Sequence, residues 1–288
     1  MNTHYSAQSR RAKECGVELL ALTQGIEDLP VPAGLGVRPL AVLGLIARAR
    51  HLLKTVHTTA DVGDVLGSAL ASRAINESVL TLGWLSTDPE MAELVWMLDE
   101  IRSRLSHHRD AQAEERRQRR RAKRKGKKVP PVLPGKSLGI LDRKMVRYLK
   151  KTEAETKART EKMKKRARRL KRLKVKRINR MPGFGDRAAV AGLSWAYHYA
   201  YRYDSNAVAH PSPLAVERFL DVRHDGIHVL GEPRGSVPDP YVVSARLFAA
   251  LLELAGHHVD ISELEPGLTE IHAKLEDLAA EVAGDPGS

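Results

Sequence analysis

The sequence predicts an all-α fold, a multi-helix bundle with one long protruding basic helix and a small β-hairpin near the C-terminal third. Three observations lead to this class. Apolar residues recur at steps of three and four through most of the chain, clusters of glycine and proline separate these runs, and one short region alternates as paired strands do. With 288 residues, of which 42% are hydrophobic, the chain can bury a sizeable core.

The first 108 residues predict four amphipathic helices. A proline- and glycine-rich stretch, PVPAGLGVRP, separates the first helix from the second. Arg73 and Glu77 fall on the apolar stripe of the third helix, where charged residues are costly to bury. The four helices are expected over residues 3–24, 38–57, 62–85 and from Asp88 to about His107.

Residues 109–180 hold most of the positive charge. The chain has 48 Lys and Arg against 35 Asp and Glu, a net charge of +13, and this segment contains 31 of the former and 7 of the latter. The remaining residues carry 17 basic and 28 acidic side chains, a net charge of −11. Residues 109–128 lack an apolar stripe and are predicted to be disordered until bound. Helical spacing resumes over 140–180, which predicts the protruding basic helix.

Residues 181–288 are expected to complete the bundle that residues 1–108 begin, with the segment 109–180 between them. The sequence MPGFG ends the basic helix, and Asp186 is placed to cap the next one. That helix is predicted to run through the aromatic stretch WAYHYAYRYDSNAVAHP at 195–211.

A β-hairpin is predicted at about 219–230. The runs FLDVRH and IHVL flank the dipeptide Asp225-Gly226, which is typical of a two-residue turn between strands. Two amphipathic helices are expected after it, over about 240–255 and 266–283, and they complete the helical fold.

The basic segment predicts a polyanionic partner. Clustered cations release counterions from a phosphate backbone, so the expected partner is nucleic acid, RNA in preference to DNA. Tyr148 is the one aromatic residue of the segment, so little base stacking is expected. Docking onto an acidic protein is the alternative. The residues expected to contact nucleic acid are Arg116, Arg117, Arg119, Arg120, Arg121, Lys123, Arg124, Lys164, Lys165, Arg168, Arg169, Lys171 and Arg172.

A metal-independent ribonuclease is the enzymatic alternative. Packing of the third helix against the aromatic helix would bring Arg73 and Glu77 to Tyr203, Ser205 and His210, with His210 as general acid or base on a phosphodiester. The structural interpretation of the same residues is a buried ion pair, an aromatic ridge and a capping pair at a helix end.

Arg102 and His107 offer a second acid–base pair, although a solvated helix end beside the basic run is the favoured explanation. No metal and no cofactor are expected, because neither His224 with His228 nor His257 with His258 comes with the thiolates or carboxylates expected of a zinc site, and the chain has no phosphate-binding glycine loop. A single cysteine, Cys15, excludes an intramolecular disulfide. With neither a signal peptide nor a membrane-spanning run in the sequence, a cytoplasmic location is expected.

Three motifs occur in a particular order: SRAINESVLTLGWLSTD at 72–88, RMPGFGDRA at 180–188 and WAYHYAYRYDSNAVAHPSP at 195–213. Together they resemble a bacterial family catalogued as domain of unknown function five-six-seven-seven, over roughly residues 60–215. The resemblance implies an all-helical domain. This layout is similar to that of helical toxin and defence ribonucleases, in which an Arg and a His four to six residues later cleave RNA. The resemblance therefore implies a bacterial phage-defence or toxin-like factor. Arg202 precedes His210 by eight positions and departs from that spacing.

Overall fold

The structure is a computed structural model, and it describes residues 7–28, 37–124, 141–169, 181–201, 220–223, 226–229 and 239–284. Most of these residues are helical. The α-helices are α1 Ala7–Leu22, α2 Val37–Asp61, α3 Val65–Thr87, α4 Pro89–Arg124, α5 Arg143–Arg169, α6 Phe184–Ala191, α7 Pro240–Gly256 and α8 Glu265–Gly284. The shorter elements are the 3-10 helices Gln24–Asp28 and Ser262–Leu264, the π-helix Ala196–Tyr201, and the strands β1 Leu220–Arg223 and β2 Gly226–Val229.

The chain divides into two compact units. Unit 1 comprises residues Met1–Thr87 and Gly183–Ser288, and unit 2 comprises residues Asp88–Pro182. Unit 2 is therefore inserted in the chain between α3 and α6, which both belong to unit 1.

Helix α3 is the centre of unit 1. It packs against α2, α6 and α7, and nearly all its side chains from Ile75 to Leu85 are buried. A helix that is apolar on most of its sides is buried on most of its sides, which explains this position. Helix α7 also packs against α1 and α2, where Tyr241 and Phe248 are fully buried, and α8 packs against α1.

Local signals specify the start of α7 where the sequence predicts it. The carboxylate of Asp239 accepts hydrogen bonds from the backbone N–H groups of Tyr241 at 2.9 Å and Val242 at 3.2 Å. Pro240 occupies the first turn, where its missing N–H costs nothing. The predicted helices at 240–255 and 266–283 are thus confirmed as α7 and α8.

Unit 2 contains the helical pair α4 and α5, which pack together in antiparallel order. Ile101 and Leu105 of α4 form a small buried core with Leu149 of α5. The backbone N–H of Leu141, just before α5, donates to Nδ1 of His108 at 3.0 Å. Since α5 begins opposite His108, the last turns of α4 continue past the part of that helix that α5 covers.

The predicted disorder of residues 109–128 is wrong as far as residue 124. Residues 109–124 are the second half of α4, a helix of 36 residues. The absence of an apolar stripe excludes burial but not helix formation, because Arg, Glu, Gln, Lys and Ala all have high helix propensity. A helix already nucleated by the packed first half extends into such residues at little cost. Residues 125–128 lie outside the described residues.

The prediction of one long protruding basic helix over 140–180 is also wrong. Its described part, α5, is paired with α4, and its buried residues are Leu149, Thr156, Thr160 and Lys164. Threonine side chains and the aliphatic stem of a lysine cover this face, so a search for apolar residues does not detect it. Residues 170–180 lie outside the described residues.

The predicted continuous helix through the aromatic stretch is wrong for residues 184–201. Helix α6 ends at Ala191, its C-cap Gly192 has a left-handed φ of 73°, and the π-helix Ala196–Tyr201 follows. Asp186 does not cap α6, because Gly183 occupies the N-cap position and Asp186 lies inside the first turn. Left-handed glycine is a common way for a helix to end, and here it divides the two helical pieces.

Besides the protruding helix, the predicted fold class is corrected in its β-hairpin, which was expected to be a component of the fold. The helical bundle accounts for the described fold, since β1 and β2 are four residues each and pair only with each other. The predicted turn is wrong too. Arg223 pairs with Gly226, which places Gly226 in β2 and leaves residues 224–225 to connect the strands.

None of the helices described here is long and apolar enough to cross a membrane.

Candidate functional site

The last third of α4 concentrates cations on an exposed helix. Seven of the nine residues 116–124 are Arg or Lys, and all seven side chains are exposed. At 3.6 residues per turn, these seven positions cover an arc of about 200°. The opposite side of the helix carries the neutral or acidic residues Ala111, Glu115, Gln118 and Ala122. The helix therefore has one cationic face.

Few of these cations are neutralised. Arg119 is bonded to Glu115 one turn earlier, and Arg117 lies 3.8 Å from Glu114. No carboxylate in the described part of the chain pairs with the other five, which are Arg116, Arg120, Arg121, Lys123 and Arg124.

The cations predicted on α5 have different environments. Lys165 is exposed, whereas Lys164 is 7% exposed and its Nζ donates to Glu161 Oε1 at 2.7 Å. A lysine held in this way is not part of an exposed cationic surface. Arg168 and Arg169 belong to the last turn of α5, but their side chains lie outside the described residues, as do Lys171 and Arg172 entirely.

A second polar cluster lies in unit 1, where α3 meets the π-helix. Arg73 Nε lies 3.5 Å from Glu77 Oε1, an ion pair that lacks hydrogen-bond geometry. The pair is mostly buried, since the side chains of Arg73 and Glu77 are 18% and 27% exposed. Arg73 Nη2 donates to the hydroxyl of Tyr201 at 3.3 Å, and the guanidinium lies 5.0 Å from the centre of the Tyr201 ring. The predicted partners Tyr203, Ser205 and His210 lie outside the described residues, so their approach to Arg73 stays a prediction.

Two further residues of α3, Asn76 and Ser72, belong to this cluster, and the sequence alone does not indicate them. Asn76 is fully buried, and its side-chain nitrogen donates to the carbonyl oxygen of Ala196 at 2.7 Å. Among the residues that the structure describes, neither its Oδ1 atom nor the hydroxyl of Ser72, both buried, has a hydrogen-bond partner. Unsatisfied buried polar atoms are uncommon and can bind water or a polar ligand. Single-turn π-helices, such as the one that Asn76 contacts, are frequent at functional sites.

Arg187 is the third residue that sequence reasoning missed. It is 8% exposed, its Nη1 donates to Thr81 Oγ1 at 3.0 Å, and its guanidinium lies 4.4 Å from the centre of the Phe184 ring and 5.9 Å from that of Trp84. These contacts attach α6 to α3. The signal that could have identified it is a lone arginine in a short helix that, apart from Asp186, has no other charged residue.

Arg102 and His107, the second pair that the sequence offers, lie on different sides of α4. They are five positions apart in the chain, which places them about 140° apart around the helix. Arg102 Nε donates instead to Glu153 Oε1 at 3.1 Å, and His107 is exposed. The neighbouring His108 is buried and bonded to the backbone of Leu141, so it serves the packing of α4 and α5.

Comparison with known proteins identifies one family. Residues 40–228 match the model of the family of unknown function DUF5677, and this match covers well over half of the chain. The chain belongs to DUF5677. No curated protein and no solved structure matches it.

The DUF5677 region contains both clusters. It begins in α2, includes the Arg73–Glu77 pair and all of unit 2, and ends in β2. Helices α7 and α8 follow it, although α7 packs directly against α3. The compact unit 1 of this DUF5677 member is thus completed by residues beyond the family match.

Proposed function

We propose that this protein binds the phosphate backbone of nucleic acid through the cationic face of α4, residues 116–124. The observation that carries the proposal is the set of exposed cations on one arc of a helix, five of them without a carboxylate partner in the described chain. Side chains whose charge is not neutralised internally are available to displace counterions from phosphates.

The proposed contact is electrostatic and largely independent of sequence. Arginine binds phosphate oxygens through its planar, multiply donating guanidinium, and the cationic face contains no aromatic side chain to stack on bases. RNA is the expected ligand, and the affinity for DNA is measured for comparison. The chain outside residues 109–180 is acidic and would repel phosphates, which favours binding through the basic segment that contains this face.

The test compares two double variants of equal charge change. Arg120→Gln with Arg121→Gln removes two cations from the proposed face, and Arg10→Gln with Arg246→Gln removes two exposed cations from unit 1. Labelled RNA and DNA are titrated with each full-length protein near 0.1 M salt. The first variant is expected to bind roughly 10- to 50-fold more weakly because two phosphate contacts are lost, while the control keeps the wild-type affinity.

Equal affinities for wild type and the first variant would contradict the proposal, and so would the absence of any binding. Capture of an acidic protein by the same face would then support the adaptor alternative.

The binding mixtures are also run on a denaturing gel. Strands that stay intact support a binding protein, whereas cleavage that disappears in His210→Ala would support the ribonuclease alternative.

A further inference from the structure

Unit 2 contains an open cavity of about 610 Å³ between α4 and the first turns of α5. Sites for small organic ligands span about 300–1,000 Å³, so the cavity has the size of a small-molecule site. It includes none of the residues 116–124 on the cationic face of α4. It is therefore a separate feature from the proposed nucleic-acid interface.

Two contacts between the helices frame this cavity. The Arg102–Glu153 ion pair, with an Nε–Oε1 distance of 3.1 Å, joins the middle of α4 to α5. Two turns further along α4, His108 accepts the hydrogen bond from Leu141 that holds the start of α5. Because the acceptor is Nδ1, the ring proton of neutral His108 is on Nε2. These two contacts fix the start and the middle of α5 against α4.

The floor of the cavity is apolar. Leu105 belongs to the buried core of unit 2, and the partly buried side chains of Leu141 and Val146 pack against that core and line the cavity. Gln112 contributes an amide that can both donate and accept hydrogen bonds. A flat, heteroatom-bearing ring would satisfy this combination of surfaces.

The walls of the cavity carry more positive charge than the carboxylates around them neutralise. Five cations line the cavity together with one carboxylate, Glu153, and that carboxylate is bonded to one of the five, Arg102. Arg143, Arg147 and Lys150 lie at i, i+4 and i+7, on one face of α5, and pair with no carboxylate in the described chain. Arg109 faces them from α4, with its Nε bonded to the carbonyl of Leu105 at 3.2 Å.

We propose that this cavity binds a nucleoside polyphosphate. The phosphates lie against Arg143, Arg147 and Lys150, with Arg109 opposite, because four converging cations match the three to four negative charges of such a ligand. The nucleoside lies on the apolar floor beside Gln112. Charge-assisted bonds to guanidinium groups supply the specificity for phosphate, and the floor supplies the preference for a nucleoside over inorganic polyphosphate.

The test is calorimetric titration of the full-length protein with ATP, GTP, adenosine and inorganic triphosphate in the absence of nucleic acid. Both nucleotides are expected to bind, adenosine to show no measurable binding, and inorganic triphosphate to bind more weakly than ATP. The double variant Arg143→Gln with Arg147→Gln is expected to lose at least about tenfold in ATP affinity, since each charge-assisted bond to phosphate is strong. Both side chains are exposed, so circular dichroism should show unchanged helix content.

The matched control is Arg120→Gln with Arg121→Gln, which changes the charge of unit 2 equally outside the cavity. It is expected to bind ATP as the wild type does. Equal loss in both double variants would mean a general charge effect and would overturn the assignment, as would the absence of ATP binding. Inorganic triphosphate bound as tightly as ATP would overturn the nucleoside part. Because the two double variants affect different ligands, this proposal and the nucleic-acid proposal can fail separately.

Discussion

At the scale of single residues, two glycines inside helices have opposite surroundings. A Cβ atom built on Gly16 of α1 would lie 2.4 Å from Nε2 of His57, a buried side chain of α2. Gly44 of α2 is exposed, and a Cβ atom there meets nothing within 4 Å. Both residues cost helix stability relative to alanine, but only Gly16 permits a close approach between helices.

Alanine at these two positions should therefore change stability in opposite directions. Gly44→Ala is expected to raise the free energy of unfolding by roughly 0.5–1 kcal/mol through helix propensity. Gly16→Ala is expected to lower it by about 1–2 kcal/mol, because the overlap with His57 outweighs the same propensity gain. Urea denaturation measures both values.

The double variant Gly16→Ala with His57→Ala separates the overlap from other effects. If the overlap with His57 is the cause, Gly16→Ala should cost much less in the His57→Ala background. A loss of the same size in both backgrounds would contradict this explanation.

At the scale of secondary-structure elements, a polar network joins α1, α2 and α7. Lys13 Nζ of α1 lies 2.6 Å from Asp61 Oδ1 at the end of α2, and the hydroxyl of Tyr241 in α7 donates to the same oxygen at 2.5 Å. The rings of His57 and Tyr241 pack in a T-shaped arrangement, with their centres 5.4 Å apart. Ser9 of α1 donates to the side chain of Asp239, the N-cap of α7.

Two pKa values in this network are lowered. Burial, followed by the positive charge of Lys13, lowers the pKa of His57 below 6.5. For Asp61, partial burial acts to raise the pKa. The hydrogen bonds from Lys13 and Tyr241, with the charge of Lys13, outweigh burial and lower the pKa below 3.8.

Acid should therefore weaken the packing of these three helices. A histidine with a lowered folded-state pKa contributes stability fully above its unfolded pKa near 6.5, and the contribution is lost as pH falls below that value. The contribution of Asp61 persists to lower pH and is lost as pH falls from about 3.8 through its folded value. The free energy of unfolding, measured in urea between pH 7.5 and 5, is expected to decrease with acid.

His57→Gln is expected to flatten that pH dependence, because glutamine does not titrate. The control is His51→Gln, which removes an exposed histidine one and a half turns earlier on the same helix and should leave the slope unchanged. Identical slopes for wild type and His57→Gln would rule out His57 as the source of the pH dependence.

At the scale of the whole molecule, charge is divided along the chain. Residues 109–180 contain 31 basic and 7 acidic residues, and the remaining chain contains 17 and 28. The described part of that segment belongs to unit 2, so nearly all the excess positive charge belongs to one compact unit. Binding to a polyanion should then depend steeply on salt and only on cations of that unit.

The salt dependence of nucleic-acid binding measures how many of these cations take part. The slope of log Kd against log salt concentration falls by roughly 0.9 for each phosphate contact removed on duplex DNA, and by roughly 0.7 on a single strand. Arg120→Gln with Arg121→Gln should therefore reduce the slope by about 1.8 or about 1.4 respectively. Arg10→Gln with Arg246→Gln should leave it unchanged, and an equal reduction in both variants would indicate that the charge of the whole protein matters rather than this face.

The sequence alone determined the helical character of the chain and the location of its charge. Periodic apolar residues predicted α2, α3, α7 and α8 closely, because each of these helices buries leucines, isoleucines or valines on a regular stripe. The motif order predicted the DUF5677 family correctly. The cations of residues 116–124 were identified from composition, and composition does not depend on how the chain folds.

Tertiary structure decided what those residues face. Thr156, Thr160 and the stem of Lys164 form the buried side of α5, and hydropathy does not mark such residues as buried. The cavity needs Arg109 on one helix and Arg143 on another to converge, a relation between residues 34 positions apart that no local pattern records. Local patterns report propensity and one-sided burial, whereas a site depends on contacts between segments that are distant in the chain.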